Sequence, residues 1–134
     1  ALCGAFISWW DEKFKTNLIR PITVISEHID KNWQPYIQTP PFPEFTSGHS
    51  VTSNAAATVL TALFGDNYKF TDKTEIPFGN DIRRFNSFYE AAYESSMSRV
   101  YGGIHYAETA RISVIQGKEI GAHVLKTLYP AAIK

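Results

Sequence analysis

Apolar positions recur along this chain at three- and four-residue intervals, the spacing of helices with one buried face. Ala1 to Arg20 reads as a first helix, broken by Pro21, because the residue before a proline is pushed out of the α region. Ile22 to Trp33 is mixed and fits either a helix or irregular structure. Gln34 to Thr46 holds Pro35, Pro40, Pro41 and Pro43, a density that forbids a helix or a central strand. Ser47 to Phe64 predicts a second helix, with Thr52, Ala55, Ala56, Val59, Leu60 and Leu63 as its buried stripe, ended by Gly65-Asp66-Asn67. Tyr68 to Asn80 reads as a polar loop, and Asp81 to about Arg99 as a third helix capped by Asp81. After Gly102-Gly103, a fourth helix runs from His105 or Tyr106 to Leu128. Ala110, Val114, Gly117 and Gly121 form a small-residue seam on it, and Pro130 follows its end. No segment alternates as a strand does, so the predicted class is all-α.

Length and composition narrow the picture. The 134 residues suffice for one domain, 1–134, and not for two. With 44% hydrophobic and 14% aromatic residues, a packed core is expected rather than disorder. Thirteen basic residues balance thirteen acidic ones, which gives no pull towards nucleic acid or an anionic membrane. An anion site must then come from local clustering. Cys3 is the sole cysteine and excludes an intramolecular disulfide. No apolar run reaches the ~18 residues of a membrane span. The chain opens without Met inside the apolar segment Ala1–Trp10, which reads as a truncated or processed product.

Chemistry concentrates in three segments. Lys13 and Arg20, about two turns apart on a helix, would present two cations on one face. A solvated basic edge that includes Lys15 is the plainer reading of that pair. Ser47-Gly48-His49 opens a helix after the proline-rich loop, where unpartnered amides and the dipole favour an anion. Gly48 would let the backbone approach a ligand, and His49 adds a titratable group; an ordinary serine cap with a neighbouring histidine fits equally well. Arg99 and His105 flank Gly102-Gly103, a turn able to bring a guanidinium fork and an imidazole to one point. An interhelical loop with a surface histidine is the alternative. His28 and His123 lack such context. The zinc, phosphate-loop and nucleophile-elbow motifs are absent.

Lys13-x6-Arg20-Pro21, Ser47-Gly48-His49 and Ser98-Arg99-x5-His105, in this order, resemble the superfamily of vanadium haloperoxidases, type 2 phosphatidic acid phosphatases and bacterial acid phosphatases. The residues flanking the last two segments look most like soluble bacterial and fungal vanadium haloperoxidases. The resemblance implies an oxyanion site in a helical bundle, incomplete in this chain. Lys13, Arg20 and Arg99 would hold the equatorial oxygens, helped by Ser47 and the Gly48 amide. His49 would be the acid–base residue. His105 would be the axial vanadium ligand in a peroxidase or the phosphorylated nucleophile in a phosphatase. Phe42 falls at a position linked to halide preference. The cofactor would be vanadate in a haloperoxidase and none in a phosphatase. The further partner would be an N-terminal part of the same protein or a second chain, and the location periplasmic or secreted. A non-catalytic phosphate-binding fragment is the third reading.

Two positions depart from the pattern. Thr46 stands in place of a proline, and Thr109 in place of the aspartate that orients the histidine matching His105. Without that carboxylate, phosphoryl transfer through His105 is expected to be slower, by about 10⁴-fold on the precedent of other histidine-dependent enzymes. Vanadate binding should suffer less, because the histidine stays neutral and a backbone carbonyl can fix its tautomer.

Overall fold

The computed structural model describes residues 1–130. Helix α1 spans Leu2–Thr16, α2 Pro21–His28, α3 Gly48–Phe64, α4 Phe88–Tyr101 and α5 Ala107–Leu128. The fold is a helical bundle, as its apolar spacing predicts.

Helix α3 is the central element, packed against α1, α4 and α5. The expected stripe describes it only in part. Ala55 is fully buried, but Leu63 is exposed, and the most enclosed positions include Ser50, Asn54 and Thr61. A helix with neighbours on three sides has no single apolar face. Some of its buried polar groups are satisfied within the bundle: the Asn54 amide donates to Ser50 O of its own helix at 2.9 Å and to Ser96 Oγ of α4 at 3.3 Å, whereas the Thr61 hydroxyl has no partner among the described residues. The seam on α5 explains the close approach of α3. A Cβ on Gly117 would lie 2.4 Å from Val51 O, and one on Gly121 would lie 2.6 Å from Thr58 Cβ. Ala5 and Trp9 of α1 complete the core with Val51 and Ala55.

Three expectations are corrected. Helix α1 stops at Thr16, not Arg20, because Asn17 takes a left-handed conformation (φ 50°) and closes it. Pro21 then starts α2 as its first residue, where its missing N–H costs nothing. The Asp81–Arg99 helix is shorter: Ser87 caps α4, its hydroxyl accepting from Glu90 N at 3.0 Å. Before it, β1 (Phe70–Asp72) and β2 (Arg83–Phe85) pair antiparallel, Phe70 opposite Phe85, inside the segments read as loop and helix. Three-residue strands are too short to show alternation, and the Phe70–Phe85 ring pair is what fixes their register.

Candidate active site

The Gly102-Gly103 turn sets up the site. Gly103 has φ 77°, a conformation open to glycine, and Ile104 N reaches back to Arg99 O at 3.2 Å. This folds His105 back beside the last turn of α4. Arg99 and His105 thus line one cavity of about 290 Å³ with Trp9, Lys13, Phe42, Gly48 and His49. Helix α3 points its N-terminus there. The first-turn amides of Gly48 and His49 have no acceptor within the helix, and a Cβ on Gly48 would lie 3.0 Å from the Trp9 ring.

The cations behind this cavity are tied down. Lys13 is buried, and its ammonium donates to Pro43 O at 3.0 Å, Glu44 O at 3.0 Å and Thr46 O at 2.6 Å. Arg20, also buried, donates to Phe42 O at 3.0 Å, Pro43 O at 3.1 Å and Ile104 O at 2.9 Å. The two do not share a helix, as the sequence suggested. They meet because the proline-rich loop draws its carbonyls around both. Phe42 lies between them, 5.1 Å from Lys13 Nζ and 5.3 Å from Arg20 Cζ, within cation–π range. Burial, then Arg20, lowers the pKa of Lys13 to about 8.

Arg99 differs from the other two, because its buried Nε has no partner among the described residues. An orphaned guanidinium donor on a cavity wall fits an oxyanion. His49 is held at a pKa of about 4, first by the surrounding protein and then by Arg99 and His105, although part of its side chain faces solvent. Ser47 does not line the cavity. It is fully buried, its amide donates to Ser113 Oγ at 2.9 Å, and its own Oγ accepts from Ser50 Oγ at 2.9 Å.

His105 carries the main surprise. Its Nδ1 lies 2.7 Å from Glu44 Oε1, and Thr109 Oγ1 donates to Glu44 Oε2 at 2.9 Å. A carboxylate therefore stands beside the ring, supplied by the loop and not by position 109. The expected weakness of His105 is withdrawn. Glu108, next to Thr109, points outward and pairs with Arg111 at 2.6 Å. No sequence motif singled out Glu44. The one clue was Thr109 itself, a hydroxyl where a carboxylate was expected.

A family model described as the VCPO second helical-bundle domain matches residues 1–130. The chain belongs to this vanadium haloperoxidase family. This second helical-bundle domain is 58% identical to a protein solved as the first bacterial vanadium-dependent iodoperoxidase. The match has a TM-score of 0.91 and covers 93% of this chain and 30% of that one. A holo-type bacterial vanadium-dependent chloroperoxidase is 17% identical, with a TM-score of 0.82 over 99% of this chain and 35% of its own. The latter likeness speaks for the fold alone. The domain thus spans about a third of the length of these solved chains. No curated protein matches it.

Proposed function

We propose that this domain supplies the oxyanion pocket of a vanadium-dependent haloperoxidase-like enzyme, in which vanadate is the cofactor and peroxide oxidises a halide. The observation that carries this reading is the convergence of the unpartnered Arg99 Nε, the free α3 amides, His49 and His105 on one cavity. Vanadate bound there would supply the centre that activates peroxide. Arg99 and the Gly48 amide would hold its oxygens. Lys13 and Arg20 would hold them too, each by exchanging a loop carbonyl for the anion. Ser47 would act from behind, as the cap that aims the α3 amides. His105 would be the protein's ligand to vanadium. A neutral His49, open to solvent on one side, is suited to move protons at the oxyanion. Phe42 forms the apolar wall on the halide side.

A second reading, phosphate-monoester hydrolysis through a phosphohistidine at His105, draws support from Glu44, because a carboxylate beside Nδ1 stabilises the charged ring that such chemistry needs. Vanadate separates the two with opposite signs. In the full-length protein, halide oxidation should appear only when vanadate is added. Phosphate-ester hydrolysis that vanadate inhibits would give priority to the second reading, and neither activity would leave a binding domain. Arg99→Ala should weaken vanadate binding by about 10- to 100-fold, the worth of charge-assisted hydrogen bonds of ~1.5–3 kcal/mol.

A further inference from the structure

We propose that Glu44 is a positioning residue that fixes the tautomer and aim of His105, and that Thr109 serves as the anchor of that carboxylate. The proposal deepens the oxyanion reading and rests on it for its ligand arm only. Glu44 is fully buried, and a carboxylate in that setting must be satisfied by donors. All its side-chain partners come from the start of α5 and the turn before it. Oε1 accepts from His105 Nδ1 at 2.7 Å and from Tyr106 N at 3.1 Å, and Oε2 accepts from Thr109 Oγ1 at 2.9 Å. Its backbone is pinned as well, through Glu44 N to Leu18 O at 2.8 Å and through Lys13 Nζ to Glu44 O at 3.0 Å. Neither loop nor helix leaves the carboxylate another position.

The consequence for His105 follows from donor counting. An ionised carboxylate only accepts, so Nδ1 must carry the ring's hydrogen. On the other side, Arg20 Nη1 sits 3.2 Å from Nε2, and a guanidinium only donates. Both neighbours thus select one neutral tautomer, with the hydrogen on Nδ1 and an unprotonated Nε2 whose lone pair accepts from Arg20. His105 lines the cavity, so Nε2 is the nitrogen a ligand there would use once Arg20 turns its Nη1 to the anion. Thr109 is too short and uncharged to set the tautomer itself, but its hydroxyl holds the second carboxylate oxygen and stops Glu44 from rotating away. The device spans 61 residues of sequence between Glu44 and His105.

The test uses the full-length protein with ring-labelled histidine and two inorganic probes. Nitrogen shifts of ligand-free wild type should report Nδ1–H and an unprotonated, hydrogen-bonded Nε2 at His105. Glu44→Gln keeps the shape but can turn its amide N–H towards Nδ1, so the tautomer should become mixed or reversed. Vanadate, which needs the Nε2 lone pair, should then bind about 10- to 100-fold more weakly, while inorganic phosphate, held by the cations and amides, changes by less than about 3-fold, under ~0.7 kcal/mol. Thr109→Ala should show a smaller loss in the same direction. Adding Thr109→Asp to Glu44→Gln should recover the wild-type tautomer and part of the vanadate affinity. An unchanged tautomer in Glu44→Gln overturns the proposal, as does an equal loss of both anions, the mark of a merely structural role. If wild type binds neither anion, the oxyanion reading fails and the tautomer measurement alone decides the role of Glu44.

Discussion

His49 gives the proposed oxyanion pocket a group poised to take up a proton. Without an anion its ring is neutral at physiological pH, since its neighbourhood and the Arg99 charge hold its pKa at about 4. An oxyanion placed between the two reverses the sign of the local field, so the bound state must hold the proton more tightly. A group whose pKa rises on binding takes up protons on binding. Anion affinity should therefore strengthen as pH falls through the bound-state pKa, and this contribution should level off below about 4, the free-state value. Phosphate's own ionisation adds a separate term, which His49→Ala preserves. Calorimetry of phosphate binding at pH 5.5, in buffers of different ionisation enthalpy, should show more proton uptake by wild type than by His49→Ala; equal uptake would remove His49 from the pocket's proton balance. Spacing alone left each of the three segments open to a plainer reading, and it was their order along the chain, through the family resemblance, that grouped Lys13, Gly48, His49, Arg99 and His105, which the structure brings to one cavity. Glu44 could not be found that way, because it lies in a proline-rich loop with no periodic relation to α5.

Among the elements, α3 was legible at both ends, while the end of α1 and the start of α4 were not, the latter because Asp81 and Ser87 are both acceptable caps and only the strand pairing of Arg83–Phe85 decides between them. Ser47 and Gly65 bracket α3 in the sequence as in the structure, whereas Asn17 closes α1 by adopting a left-handed turn that its side chain merely permits. The β1–β2 pair escaped because three residues per strand carry no period. The seam of α5 was legible and makes a quantitative expectation. Alanine at an interior helical glycine ordinarily gains ~1 kcal/mol from propensity. At Gly117 its Cβ would sit 2.4 Å from the Val51 carbonyl oxygen, a backbone atom that cannot rotate away. Overpacking of that kind costs about 1–3 kcal/mol, so the clash wins and Gly117→Ala should be net destabilising in urea unfolding of the full-length protein. Gly4, also helical, has its nearest atom at 3.8 Å, and Gly4→Ala should be neutral or stabilising. Equal stability of the two variants would mean that α3 and α5 are not in close contact.

At the scale of the whole molecule, α1 is amphipathic in an unusual sense, with two apolar faces. Ala5, Trp9 and Lys13, four residues apart, turn inward. Leu2, Phe6, Trp10 and Phe14, also four apart, form a second stripe about 100° away and stay exposed, as does Ile7 at 70%. The rings of that stripe are already in contact, Phe6 stacked on Trp10 at 6.0 Å and Trp10 against Phe14 at 5.3 Å, and Trp10 reaches Phe42 of the site at 5.3 Å. Contiguous apolar surface of this sort marks an interface in a soluble protein. The chain spans 30% of the length of the solved iodoperoxidase it resembles. We predict that in the full-length protein the stripe is covered, by the remaining polypeptide or by a second copy. Residues 1–134 alone should then bind an apolar dye and associate as concentration rises, and Phe6→Ser with Ile7→Ser should suppress both. In the full-length protein the same pair should instead be costly, by about 2–5 kcal/mol if both side chains are well buried there. Because Trp10 touches Phe42, that variant should also loosen the cavity wall at Phe42 and raise the exposure of Trp10 to a fluorescence quencher. A full-length protein that tolerates both serines with unchanged stability and quenching would show that the stripe faces water in the native molecule.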